Sequence, residues 1–239
     1  MTYNIQNGVS VSERFDLEQI ARVIEEQHPD VVVLQEVSRG WLVTSGVDEV
    51  LWLSQRLNMN YAFGPNSDDG MWGNVVLSRA PIGSVRKVQY DVTENLKRSV
   101  LQVDITTQAG DLWVLATHLD DPRDAGAIRL EQAKELIATW NHQTPTLLMG
   151  DMNSDPADPV ISTFRAAGLI DLGRNLDPAE TTSRDGRRID YIFGTPDVGL
   201  ADIRVPNVWT SDHRPVVARV SLQPVQTGVP SLEVRTSGH

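Results

Sequence analysis

The stretch Thr146-Leu-Leu-Met-Gly-Asp-Met-Asn-Ser-Asp155 decides how this chain is read. Thr146 to Met149 is a short, mostly apolar run opened by a β-branched residue, and it reads as a buried strand. The run stops on Gly150-Asp151-Met152-Asn153, which brings a carboxylate and an amide to a sheet edge. Asp151 and Asn153 are two residues apart, so in extended backbone their side chains point the same way. Together they can orient a water and hold a negatively charged oxygen. Taken alone, the segment is read equally well as an Asp/Asn-rich turn after a strand.

Five other strand-like runs carry polar residues in the same manner. Thr2-Tyr-Asn-Ile5 carries Asn4, and Val31-Val-Val-Leu-Gln-Glu36 closes on an acid. Leu112-Trp-Val-Leu-Ala-Thr-His118 closes on a histidine, and Arg188-Ile-Asp-Tyr-Ile-Phe193 embeds Asp190. Ser211-Asp-His-Arg-Pro215 precedes the run Val216 to Val220. A lone strand-end histidine is usually a surface residue, and a lone buried aspartate usually caps a backbone amide. A whole series of such endings in one chain is hard to assign to chance.

In this order, the set resembles the endonuclease/exonuclease/phosphatase superfamily. These are metal-dependent phosphoesterases that include DNase I-like nucleases, sphingomyelinases and inositol-polyphosphate phosphatases. The motifs are Tyr-Asn-Ile-Gln-Asn-Gly, Leu-Gln-Glu-Val, Thr-His-Leu, Gly-Asp-Met-Asn, Arg-Ile-Asp-Tyr-Ile-Phe and Ser-Asp-His-Arg-Pro. The resemblance runs from Thr2 to about Val220. It implies a four-layer α/β/β/α sandwich, DNase I-like, with two packed mixed sheets flanked by helices and a site at one edge of the sheet pair.

The chemistry implied is hydrolysis of a phosphate ester, most readily a phosphodiester, by in-line attack of water. A hard divalent cation neutralises phosphate oxygens and stabilises the leaving oxygen. Magnesium takes oxygen ligands and keeps several waters, so one or two carboxylates hold it; manganese or another divalent cation is the alternative. Glu36 is the expected principal ligand, with Asn4 supplying an amide oxygen and Asp212 a second carboxylate. Asp151 is expected to orient and deprotonate the water, helped by Asn153. Asp190 is expected to accept one imidazole N–H of His213 and so favour its charged form. Whether Asp151 or His213 is the base stays open at this level. His118 matches a phosphate ligand or a proton donor to the leaving group. Asn74, in Gly73-Asn74-Val-Val-Leu-Ser-Arg-Ala-Pro81, is a weaker substrate-binding candidate. Arg98 and Arg188 are likewise weaker candidates, as guanidiniums offering paired donors to phosphate.

Composition limits these readings. The chain has 239 residues and no compositional break before about residue 221, so residues 1–221 are expected to form one catalytic domain. Residues 222–239 read as a flexible C-terminal tail. With no cysteine there is neither a disulfide framework nor a thiolate metal site. The net charge of -11 disfavours nucleic acid as the partner, because phosphate neutralisation needs a basic face. A small-molecule or lipid-derived phosphodiester is therefore the preferred substrate. The alternatives are a DNA or RNA endo- or exonuclease of the same fold, and a non-catalytic binding module retaining it. There is no apolar run long enough for a membrane span and no signal peptide pattern. Met1 lies almost against the first strand, so a soluble domain excised from a longer secreted or membrane-tethered protein is an expectation. Location and oligomeric state leave no mark on the residues.

The local pattern gives the remaining elements. Asp16 reads as an N-cap, followed by Leu17, Ile20, Ala21 and Ile24 at helical spacing, with a stop near Gln27 before Pro29. Further helices are expected over 48–57, 125–140 and 156–167. Runs at 72–77, 84–90, 98–105 and 112–117 suggest one antiparallel meander, with a hairpin turn at Ala109-Gly110-Asp111. Most of the six tryptophans are expected in the core, with Trp41 and Trp72 placed near loops to meet a lipid or glycan.

Overall fold

A computed structural model describes residues 1–10, 12–93 and 96–222. It begins with a parallel unit: β1 (Thr2–Asn4), α1 (Leu17–Gln27) and β2 (Val31–Ser38). The Asp16 carboxylate caps α1 by accepting from the Gln19 N–H at 3.1 Å. Helix α1 ends with His28 in the left-handed region, ahead of Pro29. Helix α2 (Glu49–Leu57) is capped the same way by Asp48, which accepts from Leu51 N–H at 3.0 Å. Strands β3 (Asn60–Pro65) and β4 (Trp72–Ser78) complete a sheet in the order β1-β2-β4-β3.

The second sheet is built from β5 (Ile82–Gln89), β6 (Ser99–Thr107), β7 (Gly110–His118), β8 (Thr146–Asp151), β9 (Ile170–Asp171) and β10 (Asp190–Gly194). Its order is β5-β6-β7-β8-β10-β9. Helix α3 (Gly126–Trp140) crosses over between the parallel strands β7 and β8, and α4 (Pro159–Ala166) follows β8. A two-stranded ribbon, β11 (Val198–Arg204) with β12 (Val217–Leu222), closes the structure.

Side-chain alternation sorts the apolar residues into three layers of core. Val32 and Leu34 of β2 face α1 and α2, while Val33 faces the other sheet. Val114 and Ala116 of β7, Leu147 and Met149 of β8 and Ile192 of β10 fill the space between the sheets. Leu115, Leu148, Tyr191 and Phe193 point outward to α3 and α4. The result is the four-layer α/β/β/α sandwich.

Several expectations are corrected. The run at 72–78 pairs with β2 and β3, so the meander is only β5-β6-β7 and the four runs divide between two sheets. Strands β3, β9 and β11 are additions to the sequence reading. Thr107 pairs with Gly110, so the hairpin turns at Gln108 and Ala109, one residue earlier than expected. Helix α4 starts at Pro159 rather than 156. Strand β12 includes Leu222, so the domain reaches one residue past 221; residues 223–239 lie outside the described residues. Trp72 and Trp140 are buried, but Trp41, Trp52 and Trp113 are half-buried and Trp209 is exposed. Among the described residues no helix is long and apolar enough to cross a membrane.

Candidate active site

The rows of residues between the sheets become polar at one edge. On β7, Val114 and Ala116 are followed at the same spacing by His118; on β8, Leu147 and Met149 are followed by Asp151. On β10 the row Ile192 is preceded by Asp190, and on β4 Val76 is preceded by Asn74 and Trp72. Register then aligns them: His118 is the partner of Asp151 across β7 and β8, and Asp190 is its partner across β10. Gly150 permits this approach. A Cβ there would sit 1.9 Å from the Thr117 carbonyl oxygen, and the residue holds φ +152°.

Glu36 reaches the site by a different route. Continued alternation from Leu34 would turn it toward the helices. Instead β2 carries a register irregularity between Leu34 and Val37, and Glu36 adopts φ 55°. A bulge of this kind re-aims a side chain. The Asn4 amide nitrogen donates to Glu36 Oε1 at 3.0 Å and to Asp151 Oδ2 at 3.2 Å, so one side chain joins the two sheets. Asn153 also holds positive φ, at 48°, and its backbone N–H donates to Asp151 Oδ1 at 2.9 Å. Left-handed backbone at two non-glycine site residues is strain retained where geometry matters.

Asp151 Oδ2 is the point of convergence. His118 Nε2 lies 3.5 Å from it and His213 Nε2 lies 3.7 Å from it. His213 Nδ1 is 2.8 Å from Asp190 Oδ2, which fixes the ring with its other nitrogen toward the cleft. Asp151, Asp190 and His213 offer ligand atoms within 4.8 Å of one another. Asp190 is itself held in place by Thr182, whose hydroxyl accepts from the Ile189 and Asp190 N–H groups. Ser211 Oγ donates to the Asn4 carbonyl at 2.8 Å and to Asp212 Oδ1 at 3.1 Å, tying the Ser-Asp-His segment to β1.

Burial drives the electrostatics. It pushes the Glu36 carboxyl above its ordinary value; Asn4 opposes this and the Asp212 charge adds to it. Burial also raises Asp151, reinforced by Asp190 across the strand. On His213 burial disfavours charge, but Asp190 and Asp151 outweigh it and raise the imidazole to about 10. His118 goes the other way: burial, then the charges of Arg98 and His213, hold it well below the usual histidine value. One imidazole is thus charged and the other neutral.

Carboxylates gathered beside an amide form a donor set suited to a hard divalent cation. On one flank of Asp151, Asn4 joins it to Glu36 through the amide nitrogen while Asn4 Oδ1 accepts from the Gln6 N–H at 3.1 Å; on the other, Asp190 and His213 place ligand atoms within 4.8 Å of its own.

Arg98 and Asn74 are both buried near this edge. The Asn74 amide has no hydrogen-bond partner among the described residues. Arg98 donates to Asp121 at 3.2 Å, lies over the Trp72 ring, and leaves Nε and Nη1 without a hydrogen-bond partner among the described residues. Trp72 packs against His118 and stacks on Trp41, so it serves as a wall of the site rather than an exposed contact. Arg188 is a correction. Its guanidinium donates to both oxygens of Asp171, at 3.3 and 2.6 Å, and lies over the Tyr191 ring on the α4 side. Its neighbour Arg187 takes the place next to the site, donating to the Asn153 carbonyl at 3.2 Å and Asp155 at 3.1 Å. Arg187, Thr182 and Ser211 escaped the sequence reading. Ser211 stood inside a quoted motif, while Arg187 and Arg188 are adjacent just ahead of β10 and the quoted motif began at Arg188. A cleft of about 600 Å³ opens here, lined by Asn153, Asp212, His213, Arg123, Arg184 and Arg187 among others.

A sandwich of this layering, with acids, amides and imidazoles at one edge of its sheet pair, is the architecture of metal-dependent phosphoesterases. The model of the Endonuclease/Exonuclease/phosphatase family matches residues 1–213, and the chain belongs to that family. Members of the family are hydrolases acting on phosphate ester bonds and generally depend on a divalent metal. The chain is 24% identical over 149 residues to exodeoxyribonuclease III of Haemophilus influenzae, covering 59% of this chain. It spans about half, 53%, of the length of that curated relative. An endonuclease/exonuclease/phosphatase from Beutenbergia cavernae superposes with a TM-score of 0.78 at 29% identity, covering 93% of this chain and 70% of that one. The human Nocturnin catalytic domain, solved with a bound sulfate anion, shares the fold at 18% identity with a TM-score of 0.71, covering 91% and 92%.

Proposed function

We propose that this chain is a divalent-metal-dependent phosphodiesterase that hydrolyses its substrate by in-line attack of water. The observation that carries this reading is the meeting of Asn4, His118 and His213 around Asp151 Oδ2, with Glu36 on the same amide. Glu36, Asn4 and Asp212 would hold the cation, magnesium or manganese. When bound, it would supply charge neutralisation for phosphate oxygens and for the leaving oxygen. Asp151 accepts the proton of the attacking water, and Asn153 holds its carboxylate in place through the backbone N–H. A carboxyl raised by burial is better matched to that task near neutral pH than a solvated one. His213, kept charged and oriented by Asp190, donates from Nε2 to a phosphoryl oxygen as negative charge builds there. His118, kept neutral, hydrogen-bonds the phosphate from the opposite side of Asp151. The water oxygen bonds to phosphorus as the bond to the alcohol oxygen breaks; the leaving oxygen takes a proton from solvent, and Asp151 then gives up to solvent the proton it received.

The net charge of -11 supports a small-molecule or lipid-derived diester. The likeness to an exodeoxyribonuclease and the arginines of the cleft support a nuclease as the second reading. Bis-p-nitrophenyl phosphate assayed with magnesium, manganese or EDTA tests the reaction: release of nitrophenol that EDTA abolishes is expected. No release with either metal removes the reading. Titration of duplex and single-stranded DNA at two salt levels separates the substrates, because nuclease binding weakens steeply with salt.

A further inference from the structure

A second cleft, of about 520 Å³, lies between the first turns of α3 and α4 and shares Arg123 and Arg187 with the catalytic cleft. We propose that this cleft binds a second phosphate group of the substrate, so that the chain acts on phosphodiesters that carry a further phosphate. The inference rests on the phosphodiesterase reading and narrows it.

Three observations carry it. First, the N-terminus of α3, a helix of 15 residues, has Ala125 as its N-cap and no side-chain hydrogen bond closing it. The free N–H groups of its first turn and its dipole favour an anion there. Second, Ser154 is buried, its Oγ has no hydrogen-bond partner among the described residues, and it lines the cleft. A buried unpartnered hydroxyl is costly unless a ligand answers it. Third, Arg129 Nε is buried and likewise without a hydrogen-bond partner among the described residues, while its other nitrogens are fixed by the carbonyls of Asp120, Pro122 and Arg123. Arg123, Arg129 and Arg187 face Asp155 and Asp158 across the cleft. Asp155 is already paired with Arg187, and Asp158 already accepts the Asp155 N–H at 2.7 Å. Arg123 is paired in turn with Asp185 at 2.8 Å, so the side-chain charges balance and the anion is drawn by the α3 N-terminus, the Ser154 hydroxyl and the unpartnered Nε of Arg129.

The two sites are close along the chain. Ser154 is three residues from Asp151, so their Cα atoms are at most ~11 Å apart. Arg187 stands between them, holding Asn153 on one side and Asp155 on the other. A diester bound beside Asp151 that bears another phosphate can place it at α3 without a change of fold.

The test compares pairs of substrates that differ only by the second phosphate. One pair is thymidylyl-thymidine with and without a 5′-phosphate. The other is a non-nucleotide p-nitrophenyl diester whose alcohol does or does not carry a phosphomonoester. The wild type is expected to favour the phosphorylated member about tenfold through KM, the effect of a charge-assisted contact. Ala127→Asp places a carboxylate in the first turn of α3, stabilises the helix and occupies the anion position. It should abolish the preference and leave bis-p-nitrophenyl phosphate turnover unchanged. Ser154→Ala should reduce the preference. A preference within the nucleotide pair alone assigns the second phosphate to a nucleic-acid strand; a preference in both pairs assigns it to any substrate so equipped. Equal kcat/KM within both pairs, or a preference that survives Ala127→Asp, overturns the proposal. An NMR titration with inorganic phosphate in EDTA, on the His213→Ala protein, reads the cleft without turnover. The amides of Gly126, Ala127 and Ile128 should shift saturably there and not in the Ala127→Asp background. Shifts without hydrolysis of any ester keep the subsite and remove the phosphodiesterase reading. Unshifted amides remove the subsite whatever the turnover.

Discussion

Asp151 and Asp190 stand directly opposite one another on antiparallel strands, two buried carboxylates in one ladder position. Like charges so placed destabilise a sheet. His213 relieves the pair from one side, 2.8 Å from Asp190 and 3.7 Å from Asp151. The sheet tolerates the acids because an imidazolium is wedged against both.

Removing that imidazolium should therefore cost stability as well as rate. His213→Ala is expected to lower turnover by ~10²–10⁴-fold, the usual worth of a positioned acid–base group. It should also lower the urea midpoint. Adding Asp190→Asn to His213→Ala should recover part of the midpoint and none of the rate. A His213→Ala protein with unchanged midpoint and near wild-type kcat would remove both roles.

The two donor flanks of Asp151 make different predictions for metal. If the cation is held on the Glu36 side, Glu36→Gln should weaken manganese binding and lower turnover by at least ~100-fold while the fold is kept. Asp190→Asn should lower turnover but leave manganese affinity within a few-fold. Paramagnetic resonance of bound manganese reads the two variants side by side. The opposite pattern would move the cation to Asp190 and His213.

Glu49, buried at the start of α2, gives a pH signature away from the chemistry. Its Oε2 accepts the Ser38 N–H at 2.6 Å and its Oε1 has no partner among the described residues. Burial outweighs that hydrogen bond and raises the carboxyl to about 7 from an ordinary 4.5. Below about 4.5 both folded and unfolded chains carry the proton, and the group contributes nothing to the pH dependence. Between about 4.5 and 7 the unfolded chain loses it first, so stability falls as pH rises, by up to ~3 kcal/mol in all. Above 7 the loss is complete and constant. Glu49→Gln keeps an acceptor for Ser38 and removes the charge. Urea unfolding in EDTA at pH 4.5, 6 and 8 should show the variant gaining on wild type as pH rises. A constant difference between the two proteins would contradict this.

Gly150→Ala should be among the most damaging small substitutions in the chain. The added carbon meets the Thr117 carbonyl at 1.9 Å, against backbone that cannot rotate away. A loss of about 3 kcal/mol or more is expected from such overpacking at a positive φ. Thermal unfolding would show it, and a melting point within a degree of wild type would refute the close β7–β8 approach.

Much of this was legible in the residues, and the reasons are local. Leu112 to His118 and Thr146 to Asp151 are apolar rows with a polar last member, so strand, buried face and exposed edge could be read together. Asp16 announced the start of α1 by its position before apolar periodicity. What stayed hidden was non-local. The split of 72–78 from the meander depends on pairing with β2, far away in sequence. Glu36 was named from its motif, but the bulge that turns it inward follows from the register with β4. Arg188 was misplaced because a single residue step at the entry to β10 decides which arginine faces the site. Strand β9 is two residues long and β11 carries a register irregularity between Leu200 and Asp202, so both are defined by their partners.

The Asn4 amide that spans the interlayer gap has one more consequence. Its two acceptors belong to different sheets, so neither half of the sandwich can be competent alone. Sliding one layer past the other, even with every strand intact, would unhook Glu36 from Asp151, and on the proposed mechanism turnover would stop. On heating, catalysis should thus fail when the layers lose their grip on each other, before either sheet melts.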